Sequence, residues 1–281
     1  MKFLIIQENG RHDKNRLFRE CFSAQKSLIT LGHLCEVWGK GHQNFNLPIN
    51  FNDYDIIIDL ENYNTGWVPN LSKVKAYKVM WAIDAHCRGI DHYRNQFKRG
   101  NYNLILQATK DFVDNQSIWF PNCFDENLIY PIDVEKRADV GFCGNKLNRQ
   151  PYFDLLSQNF NFISDIFVIG QDMVRAINSY KVHFNANLSI DINYRSFETI
   201  GCKILLATNY NYQYEELGFK DGENCIMYKN KKELIDKISL ALGNEKHLLK
   251  MAENGFILSK QNTYLNRMKY LEDILSEKIK G

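Results

Sequence analysis

The sequence is poor in several features that mark particular classes of protein. Only 5 of its 281 residues are proline, and no two of its 7 cysteines form a Cys-x-x-Cys pair. An odd, scattered set of cysteines argues against a disulfide framework and against a cysteine-based zinc site. We therefore expect buried free thiols in a reducing compartment.

Long apolar runs and a strong charge excess are also missing. No stretch of about 18 apolar residues occurs, so no membrane span is predicted. Met1-Lys2 leads straight into the short run FLII, which is too short for a secretory signal, and we expect a cytoplasmic protein. The 35 basic residues exceed the 33 acidic ones by only two, so net charge selects no class of partner.

What the sequence does contain is an alternation of short apolar runs with helical patterns. In the first half the runs are KFLII, CEVWG, DYDIIIDL, AYKVMWAI and NLILQAT, with a helix predicted over 14–31 and ended by Gly32. In the second half they are ADVGFCG, DIFVIG, KVHFNAN, KILLATN and NCIMYKN. Strands alternating with helices predict an α/β fold with parallel sheets covered on both faces.

A segment without clean periodicity separates the two halves. It covers about 121–138 and holds two of the five prolines, as expected of a linker. We therefore predict a domain over 1–122, a second over 139–260, and a C-terminal helix over 261–281 that packs back across them. Because ligands of open α/β sheets collect at the carboxyl ends of the strands, we expect the site in a cleft between the domains.

The run ADVGFCG leads into a turn with nearby basic residues. Gly144 allows close backbone approach to a ligand, and Asn145, Lys146 and Arg149 follow where a helix begins. Unpaired amides at a helix start and fixed positive charge together suit a diphosphate. The run is neither a Walker loop nor Gly-x-Gly-x-x-Gly, and an ordinary structural turn remains the alternative.

A polar loop after KVHFNAN leads into another predicted helix. Asn193 and Tyr194 stand at its start, and Arg195 and Glu198 lie on its first turns. The Glu198 carboxylate is placed to accept two hydrogen bonds from a ribose diol. The alternative is an asparagine-capped helix with a glutamate that favours the helix dipole.

The first half contributes its own candidates at strand ends. Asp84 and His86 follow the strand AYKVMWAI, where His86 is placed to act as a general base or as a ligand of sugar hydroxyls. The spacing from His86 to His92 lacks the i, i+4 geometry of a helical zinc pair, so no metal is predicted. Gly10 shapes a turn after the first strand. A polar surface loop is the alternative interpretation of the residues from 84 to 92.

These segments, taken in order, resemble a known family. The run ADVGFCGN, then a strand ending in VIG, then AINSYKVHFNAN, RSFETIGC, LLATN and DGENCIMYKN resembles the C-terminal domain of the CgeB-like glycosyltransferases, in the GT4-like group with the GT-B fold. The resemblance covers about 130 residues. It implies two Rossmann-like domains facing a central cleft, a shortened acceptor-side domain over 1–122 and a nucleotide-sugar domain over 139–260.

The resemblance also implies roles for single residues. Gly144, Asn145 and Arg149 match the loop near the donor diphosphate, and Gly170 matches the strand end beside the nucleobase. Asn193 and Arg195 match groups at the helix that faces the phosphates. Glu198 matches the second glutamate of a Glu-x7-Glu pattern, which holds the ribose. The first glutamate of that pattern falls at Ile190, so the contact to the donor sugar departs from the family.

The activity implied is transfer of a sugar from a nucleotide-diphosphate sugar to an acceptor hydroxyl, without a metal, with retention, and with no permanently bound cofactor. Two alternatives stay open at this point: a phage-type transferase acting on hydroxylated bases in DNA, and a non-catalytic nucleotide-binding protein. A basic and aromatic group fits a DNA-facing patch and fits a solvated helix face equally well: Arg88, Tyr93, Arg94, Phe97, Lys98 and Arg99. The acceptor is left open between a glycan, a protein, a small molecule and modified DNA, and the oligomeric state is open too.

Overall fold

A computed structural model describes residues 1–280, and these divide into two compact units. The first unit comprises Met1–Pro121 and the C-terminal segment that begins at Tyr264, and the second comprises Asn122–Thr263. The segment that we interpreted as a linker therefore belongs almost wholly to the second unit. The C-terminal helix is part of the first unit.

The first unit is built on six parallel strands in the order β2-β1-β3-β4-β5-β6. The strands are β1 (Lys2–Ile6), β2 (Leu34–Trp38), β3 (Ile56–Leu60), β4 (Tyr77–Ala82), β5 (Leu104–Gln107) and β6 (Ser117–Trp119). Every residue of β3 is buried, including Asp59, as the run of three isoleucines predicts for a central parallel strand.

Four helices accompany this sheet: α1 (Glu20–Thr30), α2 (Ala85–Arg88), α3 (Ile90–Gly100) and α10 (Tyr264–Lys280). The helix predicted over 14–31 is shorter than expected, because Arg19 is extended and separates α1 from a 3-10 turn over Asp13–Phe18. Gly32 follows α1 with φ +87°, a left-handed conformation that suits glycine at a helix end. Helix α1 packs against α10.

The second unit has five parallel strands in the order β11-β10-β9-β7-β8. They are β7 (Ala138–Gly144), β8 (Phe162–Ile166), β9 (Tyr180–Phe184), β10 (Leu205–Asn209) and β11 (Ile226–Tyr228). Its helices are α4 (Gln150–Asn159), α5 (Gln171–Asn178), α6 (Tyr194–Gly201), α7 (Tyr212–Glu216), α8 (Lys231–Leu242) and α9 (Glu245–Ser259).

The core of the second unit lies between the sheet and helices α4, α8 and α9. Val140, Phe142, Val182 and Phe184 project from the central strands β7 and β9 into one apolar cluster. Complete burial of side chains of this size contributes about 1.5–3 kcal/mol each to folding, so the two central strands fix the frame on which the loops stand.

One predicted strand of the second unit is displaced along the sequence. The run DIFVIG was expected to be a strand, but β8 ends at Ile166, and Val168 to Gly170 form a loop before α5. The reason is register: β8 is an edge strand paired with β7 from Phe162 to Ile166, which ends where β7 ends at Gly144.

The cysteines and the hydropathy of the helices agree with the expectations from composition. All seven cysteines are free, and six of them are buried. Among residues 1–280, none of the helices combines the length and the apolar character that crossing a lipid bilayer requires.

Candidate functional site

Exposed apolar side chains gather in the loops that follow the strands of the second unit. Large apolar residues, each at least 40% exposed, lie in the loops after β7, β8, β9 and β10 and at the start of α7: Leu147, Phe167, Leu188, Ile190, Tyr210 and Tyr212. These four strands are neighbours in the sheet, and all their carboxyl ends lie at one edge. Exposed apolar surface of this kind marks ligand-binding faces.

Arg195 on α6 connects three of the elements that meet at this edge. Its Nε donates to the carbonyl oxygen of Cys143 at 2.8 Å, and its Nη1 lies 2.6 Å from the sulfur of Met173 on α5. A Cβ placed on Gly144 would lie 3.7 Å from the Arg195 Nε, so the end of β7 runs directly against this side chain. The predicted glycine turn and the predicted arginine are therefore neighbours.

Glu198 lies one turn further along α6 and forms an ion pair with Arg195 Nη1. The two side chains are 11% and 22% exposed, so the pair is largely withdrawn from water. Burial opposes the charged form of Arg195, but the facing carboxylate outweighs it, and the pKa of Arg195 is raised. A carboxylate has about four acceptor positions, so Glu198 keeps acceptor capacity for a ligand hydroxyl.

A buried histidine beneath this pair was not predicted as part of the site. The amide of Cys143 donates to His183 Nε2 at 3.1 Å, and His183 Nδ1 lies 2.5 Å from the hydroxyl of Thr199, which donates to the Arg195 carbonyl. Burial, followed by the positive charge of Arg195, lowers the pKa of His183 to about 3. The neutral imidazole thus ties the end of β7 to α6.

Arg149 holds the loop after β7 in place. Its guanidinium donates to the carbonyl oxygens of Ala186 at 2.7 Å, Asn145 at 3.0 Å and Leu147 at 3.3 Å. The residue is only 8% exposed, and burial lowers the pKa of its guanidinium. Four of the five N–H groups of this side chain already have backbone partners. Arg149 therefore shapes the loop that carries Lys146.

Asn193 takes part in a network of amides and hydroxyls at the start of α6. Asn185 and Asn193 exchange hydrogen bonds at 3.1 Å, and Asn185 also reaches the hydroxyl of Ser196 at 3.1 Å. The hydroxyl of Ser196 lies 2.6 Å from that of Tyr214. Buried networks in which each member is satisfied fix a single geometry, so these residues set the position from which α6 begins.

The other predicted donor residues lie around this centre. Gly170 stands immediately before α5 with φ +64°, where any side chain would be strained. Tyr194 is the first residue of α6 and is partly buried. Asn145 and Lys146 are exposed in the loop after β7. The second unit thus brings eight of the predicted donor residues to one edge, with Arg149 beneath their loop.

The remaining predicted residues belong to the first unit. Gly10 lies in the loop after β1, where its amide donates to the Asn9 side chain at 2.8 Å. Asp84 precedes α2 and His86 lies within it, both partly buried at the carboxyl end of β4. Asp91 lies in the first turn of α3 instead of in a loop. Gly10, Asp84 and His86 thus share the carboxyl edge of the first sheet.

The basic and aromatic group that suggested DNA is largely engaged within the first unit. Arg88 pairs with Glu61 at 3.0 Å, and Arg94 pairs with Asp114 at 3.1 Å. Tyr93 is only 3% exposed. Phe97 packs against the core, which leaves Lys98 and Arg99 exposed. Within residues 1–280, no group of three or more His, Cys, Asp or Glu side chains is arranged to hold a metal ion.

Comparison with known proteins identifies the family. A family model described as glycosyl transferase-like matches residues 127–273, which is more than half of the 281 residues. The chain belongs to this glycosyl transferase-like family. The match covers every residue around Arg195 described above. The prediction that the protein is a glycosyltransferase is confirmed. A comparison of the sequence with curated proteins gives no match.

Solved structures show the same fold. The Anabaena protein Alr3699/HepE in complex with UDP and glucose has a TM-score of 0.70 at 12% identity, covering 99% of this chain and 100% of that one. An α-glucosyltransferase (AGT) in complex with UDP has a TM-score of 0.71 at 11% identity, covering 98% and 100%. Sucrose-phosphate synthase from Thermosynechococcus elongatus has a TM-score of 0.66 at 8% identity, covering 99% of each chain. The predicted GT-B fold is confirmed.

Proposed function

We propose that this glycosyltransferase moves a sugar from a uridine diphosphate sugar to an acceptor hydroxyl, with retention and without a metal. Within the family we assign it to the CgeB-like group, as the sequence resemblance implies. The choice of uridine follows the neighbours of the same fold, since both HepE and the α-glucosyltransferase were solved with UDP. We further propose that the protein is cytoplasmic and holds no permanent cofactor.

One observation carries the proposal: the largely buried Arg195–Glu198 pair lies at the strand edge against the end of β7. Gly144 has no side chain there, so a diphosphate can approach the backbone closely. Positive charge and the amides at the start of α6 attract that diphosphate. The Glu198 carboxylate supplies acceptors for the two ribose hydroxyls, and Gly170 borders the nucleobase.

The proposed reaction breaks the bond between the anomeric carbon and the diphosphate oxygen and forms a bond from that carbon to the acceptor oxygen. The departing diphosphate gains negative charge, which Arg195 and Lys146 stabilise. Stabilisation of a developing anion by preorganised groups is usually the largest contribution to such catalysis. The acceptor hydroxyl gives its proton to His86, which we assign as the general base, and we assign the contacts to the sugar and acceptor hydroxyls to Asp84 and His86.

A thermal-shift screen tests donor binding, because a ligand that binds only the folded state raises the melting temperature. We expect UDP to raise it more than the other nucleoside diphosphates do. We also expect Glu198→Ala and Arg149→Ala to lose sugar transfer, whereas Lys232→Ala, on the exposed surface of α8, serves as the control. Full activity in both variants would refute the site, and loss of activity after treatment with a chelator would refute metal independence.

DNA is the second candidate acceptor. The observation in its favour is that the α-glucosyltransferase of the same fold was also solved with UDP and a 13-mer DNA, at 12% identity. Binding through phosphates releases counterions, so affinity for duplex DNA should fall steeply with salt. Affinity that is undetectable at low salt would reject this acceptor and favour a glycan, a protein or a small molecule.

A further inference from the structure

Glu61 lies immediately after β3, beside the carboxyl end of β4 in the first sheet. Its side chain is only 10% exposed. No motif in the sequence assigns Glu61 a role. The question is therefore what a nearly buried carboxylate does at this edge.

Its two oxygens hold both ends of the segment that carries Asp84 and His86. Oε2 accepts from the amides of Ile83 at 3.0 Å and Asp84 at 3.3 Å, which are the last two residues before α2. Oε1 accepts from Arg88 Nε at 3.0 Å, and Arg88 is the last residue of α2. A single carboxylate thus contacts both ends of the segment from 83 to 88.

The same carboxylate also fixes the helix that follows. The hydroxyl of Tyr93, on the first turn of α3, donates to Glu61 Oε2 at 2.5 Å. Between α2 and α3 stands Gly89 with φ +81°, a left-handed position at which the chain changes direction. Glu61 therefore links α2 and α3 across the turn at Gly89.

Helix α2 has little of its own to stabilise it. It contains only four residues, and the Asp84 side chain forms no capping hydrogen bond. A single helical turn is unfavourable by itself, because several dihedral angles are fixed for very few hydrogen bonds. A negative charge at a helix start is favourable, and here Glu61 supplies it from the loop after β3.

We propose that Glu61 is the positioning residue that holds Asp84 and His86 in their reactive geometry. This inference rests on the proposed function, which assigns those two residues to the sugar and the acceptor. Glu61 acts through the main chain and touches no substrate. A displacement of about 1 Å in a reacting group can lower a rate about 100-fold, so a loosened α2 should slow transfer.

The same strand offers a matched control. Asp59, two residues before Glu61, is also buried, and it accepts from the hydroxyl of Tyr102 at 2.5 Å and from Asn62 Nδ2 at 3.2 Å. It has a phenol partner as Glu61 does, but none of its hydrogen bonds reaches the segment from 83 to 88. Asp59→Asn therefore removes a buried charge from the same strand and leaves the anchoring of α2 intact.

The experiment compares Glu61→Gln with Asp59→Asn in the full chain by steady-state kinetics and amide hydrogen exchange. In Glu61→Gln we expect kcat to fall about 10- to 100-fold. The KM for UDP-glucose should stay within about twofold, because the residues assigned to its nucleoside and diphosphate lie in the second unit. We expect faster amide hydrogen exchange across 83–88. In Asp59→Asn we expect neither the fall in kcat nor the faster exchange. Arg88→Gln, which releases only the end of α2, should change both quantities in the same direction but less.

Unchanged exchange over 83–88 in Glu61→Gln overturns the inference, whatever the activity. Equal losses of kcat in Glu61→Gln and Asp59→Asn overturn it as well, since a general loss of stability would then explain both. If Glu61→Gln does not fold, unchanged exchange and kcat in Arg88→Gln decide against it. Full activity in Asp84→Ala and His86→Ala instead refutes the catalytic assignment in the proposed function, and that result is read independently of the exchange data.

Discussion

Replacing Glu198 with glutamine should separate donor binding from the stability of the second unit. Glutamine has nearly the same shape but no charge, so Arg195 would lose the ion pair with Glu198 while its guanidinium stays protonated. Its remaining partners are the Cys143 carbonyl at 2.8 Å and the Met173 sulfur at 2.6 Å. Neither carries a charge.

The expected cost follows from burial. Removing one partner of a fully buried ion pair costs about 3–5 kcal/mol. Because Arg195 and Glu198 keep 22% and 11% exposure, we expect about 2 kcal/mol, somewhat below that range. In a domain of this size each kcal/mol lowers the melting temperature by roughly 2–4 °C, so the second unit should melt about 4–8 °C lower.

A double-mutant cycle measures whether the pair is responsible. Urea unfolding of Glu198→Gln, Arg195→Met and the double variant should give a coupling energy of about 1–2 kcal/mol, because the double variant leaves no unpaired charge. In parallel, Glu198→Gln should weaken UDP binding about 10-fold or more through loss of a charged acceptor for the ribose.

Two results would refute this reasoning separately. Additive costs in the cycle would mean that Arg195 and Glu198 do not stabilise each other. A UDP-induced thermal shift in Glu198→Gln equal to that of the wild type would mean that the carboxylate does not bind the donor, even if the cycle shows coupling.

Three further outcomes follow from the second unit. Gly141→Ala places a Cβ 2.1 Å from the Tyr180 ring, so the free energy of unfolding measured in urea should fall by about 3 kcal/mol or more. The control is Gly222→Ala, whose Cβ has no atom within 4 Å. Only its φ of +75° is strained, so this variant should lose about 1 kcal/mol. Burial lowers the pKa of His183 to about 3, so the stability that its neutral form contributes is complete above pH 6.5 and is lost as the pH falls towards 3. The urea midpoint of His183→Gln should therefore fall less steeply over this pH range than that of the wild type. Parallel curves for the two proteins would contradict this. Phe167 is 70% exposed and has φ +57°, a backbone conformation that asparagine adopts more easily. In Phe167→Asn the melting temperature should stay the same or rise, and UDP affinity should fall if the ring contacts the base. Unchanged UDP affinity would show that Phe167 is not part of the site.

The central strands were predictable because their amino-acid composition alone indicates that they are buried. Strand β3 begins with three isoleucines and is buried on both faces, and this apolar run identifies it without reference to any partner. Helix α8 begins after Asn230, whose side chain accepts from the Glu233 amide at 2.9 Å, a local capping signal readable from the sequence. Edge strand β8 was misplaced because its limits depend on pairing with β7.

The site was predictable in its local parts only. Arg195 and Glu198 lie three residues apart, so a helix alone brings them together. His183 and Cys143, or Glu61 and Asp84, come together through pairing of strands far apart in sequence. No motif marks such a contact, and Glu61 in particular resembles any acidic residue at a strand end.

The path of the chain has a consequence for the order in which the two units fold during synthesis. The first unit is interrupted at Pro121 and resumes at Tyr264, while the amide of Phe124 donates to the carbonyl of Asn262 at 3.2 Å, which brings the two ends of the second unit together. A ribosome adding about 5–20 residues per second needs roughly 7–30 s to complete that insertion. During this time six strands of the first unit have emerged without α10, the helix that packs against α1. The second unit can therefore finish folding first, and the nascent first sheet is the part of the chain that most needs protection from aggregation.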